Sequence, residues 1–208
     1  MTEPAGGIAS VVLAAGTSAR MGQPKLCLPF GAGTILSCAV APHLEAGLRR
    51  VIVVLGGHAD ELRAAAGPAD PRVRLVVNES WTEGMASSIR RGLAECADAA
   101  AVVLALGDQV GVDAARLKLL LAAWAPDVPL VVPVVGGRAS HPVLFARVLF
   151  DELRALRGDV GAREVVRRHW AEAARVAAAP LADVDTREDY EALLQGRPAR
   201  PGEGLELP

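Results

Sequence analysis

Apolar residues in this chain fall into short continuous runs, separated by amphipathic stretches and by loops of small residues. The first run, 8–13, halts at Ala14, Ala15 and Gly16 and hands over to a polar loop. A run of that length bounded by turn residues predicts a strand buried on both faces, because a half-exposed strand would alternate. Runs at 51–55, closed by Gly56 and Gly57, and at 73–77, 101–106 and 130–135 predict further strands. Between them, helical spacing predicts helices over about 35–46, 59–66, 85–96 and 114–123. Thr34 is placed to cap the first of these, and Pro42 is expected to kink or shorten it.

In the second half, 130–135 and 142–145 flank the turn-rich string GGRASH, which predicts a small β-excursion covering a site. Helices over about 147–156 and 162–173 follow, then a strand at 175–178 and a last helix over 188–195 capped by Thr186. Strand, loop and helix repeat in turn. That order predicts an α/β fold with a doubly wound, mostly parallel, Rossmann-like sheet, whose ligands lie beyond the carboxyl ends of the strands.

Composition narrows the picture. With 208 residues, 51% of them hydrophobic, the chain can bury one substantial core, so one domain over 8–195 is expected, with a tail at 1–7 and a disordered tail at 196–208. A net charge of −2, with both signs interspersed, offers no footprint for nucleic acid or an anionic membrane. No run approaches the roughly 18 apolar residues of a membrane span. Three cysteines without CxxC spacing, and no signal-like segment, point to a reduced cytoplasmic protein. Cys27 reads as a small packed residue.

Candidate chemistry concentrates in four places. The loop after the first strand carries Gly16, Ser18, Arg20 and Lys25, and Lys25 is one of only two lysines. Small residues let main-chain N–H groups approach phosphate oxygens, while Arg20 and Lys25 can neutralise the charge that those groups only orient. The loop is neither GxGxxG nor GxxxxGK followed by Ser or Thr. Asp108 ends an apolar strand, where a carboxylate is either a loop cap or a metal ligand. Asp183 and Asp185, two apart on an extended segment, share one side of it. Magnesium takes one or two carboxylates together with phosphate oxygens and waters, so Asp108 and Asp185 suffice if the fold unites them. Finally, Gly84, Ser87 and Ser88 stand where a helix begins and its N–H groups are free, with Ser87 readable as a plain N-cap. Trp81 reads as a packing residue, and Arg90 and Arg91 as a solvated helix face.

The string LAAGTSARMGQPK, 13–25, resembles the signature loop of the MobA-like nucleotidyltransferases, LAAGxSxRMGxxK, with nine specified positions matching in thirteen. GDQV resembles the family's GDQP, and DVDTREDY its DIDTPEDY. NESWTEGMASSIRRGL is similar to NPxWxxGMxxSIxxGL, GGRASHPVLF to GRxGHPVLF, and LRGDVGAR to LxGDxGAR. The fold implied is that of the nucleotide-diphospho-sugar transferases. The LAAG form resembles the molybdenum cofactor cytidylyltransferase branch, whereas the guanylyltransferase branch usually carries LAGG.

The resemblance implies transfer of CMP from CTP to a phosphate-bearing acceptor, most simply molybdenum-bound molybdopterin, with Mg2+ held by Asp108 and Asp185 and with Asp183 a secondary candidate. A molybdoenzyme would be the downstream partner. It further implies nucleotide contacts from Leu13, Ala14, Ala15, Gly16, Ser18, Arg20, Lys25, Asn78, Gly84, Ser88 and Asp108. His141, Asp159 and Arg163 fall on the acceptor side, with Asp159 and Arg163 also able to pair with each other. Arg20, Lys25, Asp108 and Asp185 would carry the catalysis. Guanylyl transfer to the same cofactor, cytidylyl transfer to a sugar or polyol phosphate, and a cofactor chaperone without turnover are the alternatives. Ala139 and Ser140, in place of the family's usual Arg-Gly or Gly-Gly pair, mark where this chain departs from the pattern.

Overall fold

A computed structural model describes residues 7–196, apart from the side chain of Arg20; the expectations for the tails 1–6 and 197–208 lie outside the described residues. The chain runs through β1 (Ile8–Ala14), β2 (Pro29–Phe30), β3 (Gly33–Thr34), α1 (Ile35–Glu45), β4 (Val51–Leu55), α2 (Ala59–Ala65) and β5 (Val73–Val77). It continues with α3 (Met85–Ala94), β6 (Ala101–Leu106), β7 (Gln109–Val110), α4 (Ala114–Ala123), β8 (Leu130–Val135), β9 (Arg138–Ala139) and β10 (Val143–Ala146). Then come α5 (Phe150–Ala155), α6 (Arg163–Arg168), β11 (Ala174–Ala177), β12 (Ala182–Asp183) and α7 (Arg187–Leu194).

The main sheet has the order β11-β8-β10-β6-β1-β4-β5, with β9 beside β8. Pairs β1–β4, β1–β6, β4–β5 and β8–β11 are parallel. Strand β10 runs antiparallel to both β6 and β8, since the short excursion through β9 is too brief for the crossover that a parallel return needs. The mostly parallel sheet with its excursion is therefore the expected architecture.

Two-residue periodicity places the core. Along β1, Ala9 and Val11 face one buried layer, under α3, α5 and α6, while Val12 and Ala14 face the other, under α1 and α2. On β4, Ile52 and Val54 enter the first layer and Val51, Val53 and Leu55 the second. A continuous apolar run is what burial on both faces requires.

Local signals explain most element ends. Thr34 accepts the N–H of Ser37 and closes a capping box at α1, and Thr186 does the same with Asp189 at α7. Pro42 does not end α1, which continues to Glu45. An interior proline costs about 3 kcal/mol, whereas burying Ile35, Leu36 and Val40 on the sheet returns roughly 5 kcal/mol or more. The helices expected at 147–156 and 162–173 are shorter, each combining a 3-10 turn with a brief α segment. Leu156 turns extended ahead of Gly158, whose φ of 64° no helix accommodates. No described helix is long and apolar enough to cross a membrane.

Register then aligns the strand ends. Ala14 lies opposite Leu55 and Leu13 opposite Leu106, so the loops after β1, β4, β5 and β6 open on one rim. Off the main sheet, β7 pairs antiparallel with β12, Gln109 facing Asp183, and Val184 donates its N–H to the carbonyl of Asp108. That small ladder, which no local pattern predicted, carries the 183–185 segment to the same rim.

Candidate active site

Beyond β1 the chain folds into a closed loop. Ser18 adopts a left-handed backbone with φ 53°, a 3-10 turn spans Ala19–Met21, and Gly22 is again left-handed before a second 3-10 turn at Lys25–Cys27. The N–H of Lys25 donates to Ser18 Oγ at 3.0 Å, and Met21 and Leu26 anchor the loop in the core. Its outer wall rests on the turn after β4. A Cβ at Gly56 would lie 2.5 Å from the carbonyl oxygen of Ala15, so only glycine permits this approach. His58 Nε2 meets the carbonyl of Thr17 at 3.0 Å. Cys27 packs against the same core layer, and burial raises its thiol pKa. The Arg20 side chain lies outside the described residues.

Lys25 joins three distant parts of the chain. Its Nζ donates to Asp108 Oδ2 at 2.7 Å and to Asp185 Oδ1 at 3.1 Å, although the lysine side chain is only 12% exposed. Burial alone would lower the lysine pKa, but the Asp108 and Asp185 carboxylates outweigh it and raise the value above the ordinary one. The two carboxylates thus converge on one point at the mouth of the loop. They fit a hard divalent ion, which needs one or two carboxylates and completes its shell with substrate oxygens and water. Among the described residues no three His, Cys, Asp or Glu side chains gather to hold a metal, so the substrate would have to supply the remaining ligands. Asp183, the secondary candidate, has a buried Oδ1 without a hydrogen-bond partner among the described residues, and its carboxyl bonds the Gln109 side chain, with burial raising its pKa.

A cleft of about 320 Å³ opens between this loop and the start of α3, lined among others by Leu13, Ala15, Thr17, Ser88 and Asp108. Trp81, expected to pack, does so over Gly57 and lines the cleft as well. Gly84, not Ser87, occupies the cap position of α3; Ser87 sits one turn in, its hydroxyl donating to the carbonyl of Gly84 at 2.8 Å. Asn78 is buried and donates its amide to Ser87 Oγ at 2.8 Å and Ser88 Oγ at 3.0 Å, so it holds the serines while standing behind the cleft. Ala14 is likewise buried, its side chain in the core. Arg90 and Arg91 do not form a solvated face. Arg90 bonds the Leu156 carbonyl and Glu83, and Arg91 bonds the Val77 carbonyl and Glu95.

Three residues are expected on the acceptor side, His141, Asp159 and Arg163. His141 is buried enough to push its pKa down to about 4, with Asp108 opposing and Arg163 reinforcing that shift, so the ring is neutral at pH 7. Asp159 faces the cleft and accepts the N–H of Met85 at 3.2 Å; it forms no ion pair with the exposed Arg163.

Arg116, which sequence reasoning passed over, is buried in α4. Its guanidinium donates to the carbonyls of His141, at 2.8 Å, and Ala179, tying the excursion to the segment that leads to Asp185. Burial lowers its pKa, with Asp113 opposing. An arginine whose partners are backbone carbonyls leaves no mark in a sequence.

Comparison with known proteins accords with this geometry. The profile of the MobA-like NTP transferase domain matches residues 10–174. Nicotine blue oxidoreductase of Paenarthrobacter nicotinovorans is 31% identical over 90% of this chain and 94% of its own length. The purine catabolism protein PucB of Bacillus subtilis is 33% identical over 87% and 93%. The molybdenum cofactor cytidylyltransferase of Escherichia coli is 25% identical over 66% and 69%. Among solved structures, Rv0371c of Mycobacterium tuberculosis superposes with a TM-score of 0.80 at 34% identity, covering 94% of this chain and all of that one. The same protein in complex with manganese gives 0.76 at 32% identity over 93% and 100%.

Proposed function

The chain belongs to the MobA-like NTP transferase family, and from that premise we propose that this nucleotidyltransferase moves CMP from CTP to a phosphate-bearing acceptor, molybdenum-bound molybdopterin being the best candidate. The observation that carries the reading is the meeting of Lys25, Asp108 and Asp185 at the mouth of the loop after β1. Two carboxylates able to hold a divalent ion, with a lysine between them and a loop of main-chain N–H groups beside them, suit a triphosphate better than a neutral ligand.

In the proposed reaction an acceptor phosphate oxygen attacks the α-phosphorus of CTP. A new P–O bond forms as the bond to the bridging oxygen breaks, and pyrophosphate leaves with that electron pair. No nucleophilic side chain is required, so the chain's part is to position and to offset charge. The Ala15–Ser18 loop would orient the phosphates and Lys25 would counter their charge. The cleft between Ala15 and Ser88 would receive the nucleoside. Asp108 and Asp185 would hold Mg2+, which when bound supplies further positive charge to the phosphates. A relative 32% identical is known with manganese, an ion of similar ligand preference. The cytidylyl choice is supported by Ala15 in the LAAG string and by the likeness to the Escherichia coli cytidylyltransferase.

The test measures pyrophosphate release with CTP, GTP and UTP in turn, with and without molybdenum-bound molybdopterin. Turnover with CTP and the cofactor together is expected. Turnover with GTP alone overturns the cytidylyl reading, and CTP binding without release replaces the enzyme with a cofactor chaperone.

A further inference from the structure

The first half of the element 156–163 is stitched to α3 through Leu156, Gly158 and Asp159. Met85 donates its N–H to Asp159 Oδ1 at 3.2 Å, and Ala86 donates to the carbonyl of Gly158 at 3.1 Å. Arg90 Nη1 reaches the carbonyl of Leu156 at 2.8 Å. The backbones are in direct contact: a Cβ at Gly84 would lie 2.5 Å from the carbonyl carbon of Gly158 and 2.6 Å from the nitrogen of Asp159. Gly84 also has φ 97°, so the approach and the conformation both demand glycine.

Gly84, Met85 and Ser88 form one wall of the cleft, and Asp159 lines it beside them. A carboxylate at the N-terminal end of α3 satisfies a free N–H and neutralises the positive end of the helix dipole. That end is then closed to phosphates. A triphosphate is left with the loop after β1, and the uncharged nucleoside with the α3 wall.

We propose that Asp159 is a positioning residue of the nucleotide subsite, holding the Gly84–Met85 end of α3 in place, and that the element 156–163 thereby ties the nucleotide wall to the exposed Val160 and Arg163 beyond it. The inference rests on the nucleotidyl-transfer reading given above. It moves Asp159 from the acceptor to the nucleotide.

The test compares Asp159→Ala and Asp159→Asn with wild type by CTP and acceptor kinetics and by amide hydrogen exchange over 81–90. Asp159→Ala is expected to raise the KM for CTP about 10-fold, the loss of one charge-assisted hydrogen bond, and to speed exchange at Met85. The kcat and the KM for the acceptor should stay within about 2-fold. Asp159→Asn, which keeps an acceptor oxygen, should recover most of the loss. Gly84→Ala presses the same contact from the other side and should likewise raise the KM for CTP and speed exchange at Met85. A raised acceptor KM with unchanged CTP KM and unchanged exchange overturns the proposal. A wild type that neither binds nor consumes CTP overturns the cytidylyl reading instead, and the exchange measurement still decides the role of Asp159.

Discussion

The ammonium of Lys25 lies 2.7 Å from Oδ2 of Asp108, across 83 residues of sequence. The contact closes the loop after β1 onto the end of β6, and Asp185 joins it from the far end of the chain. A partly buried cation shared by two carboxylates holds both in place before any substrate arrives.

Asp108→Ala should therefore lower the rate of pyrophosphate release on the order of 100-fold or more, about 2.7 kcal/mol of transition-state stabilisation. Lys25→Ala should act in the same direction. Because the two side chains are in contact, the double variant should lose less than the product of the two effects, which a double-variant cycle on kcat/KM measures. A wild-type rate for Asp108→Ala would remove this residue from the chemistry.

Metal removal should abolish turnover and addition of Mg2+ should restore it. The two carboxylates alone make a weak site, so restoration should need free metal or metal bound to the nucleotide rather than a tightly held ion. Activity that survives exhaustive chelation would contradict the assignment of Asp108 and Asp185 as ligands.

Acid should weaken the fold through His43. The ring is fully buried, its Nδ1 paired with Ser10 Oγ at 2.8 Å, and burial lowers its pKa to about 4 from the ordinary 6.5. The unfolded chain binds a proton that the folded one refuses, so stability is full above pH 6.5 and falls as pH drops from 6.5 towards 4. The loss from this group is at most about 3 kcal/mol. Denaturant titrations across that range should show it, and His43→Gln should flatten the curve.

Gly56→Ala should damage the loop after β1 from behind. The new methyl would meet the carbonyl oxygen of Ala15 at 2.5 Å and its Cβ at 2.8 Å, so one backbone must move. Overpacking of that kind costs about 1–3 kcal/mol. The KM for the nucleotide should rise together with a fall in the melting temperature, and an unchanged KM would detach Ala15 from binding.

Arg116→Met should loosen two segments at once. Hydrogen exchange should quicken both at 139–143 and at 178–185, the regions that its guanidinium joins. Hydrogen bonds from a charged donor contribute roughly 1.5–3 kcal/mol each, reduced here by the cost of burying the charge. A change confined to α4 would show that the ties are dispensable.

Much of the fold was legible in the residues alone. Apolar runs marked β1, β4, β5, β6 and β8, and small or polar residues at their ends marked the loops, because burial on both faces and turn geometry act over a few positions. Thr34 and Thr186 were readable as caps for the same reason. The loop 13–25 stood out because its motif is local. Pro42 does not end α1, since its cost is local while the burial that outweighs it comes from the sheet. Ser87 was less legible, because what it does depends on the backbone that passes by, whereas Trp81 packs as expected and lines the cleft besides.

The sequence by itself determined the main strands and helices, the small-residue loop that carries Lys25 and the carboxylates available to it. Only the tertiary structure decided that Asp108 and Asp185 share Lys25, because the pairing of β7 with β12 brings together residues that no short-range pattern relates. It also decided that β10 runs antiparallel, that Arg116 binds carbonyls, and that Asp159 belongs to the wall of α3. These depend on main-chain groups that every residue carries alike, and their partners are chosen by the packing of the whole chain.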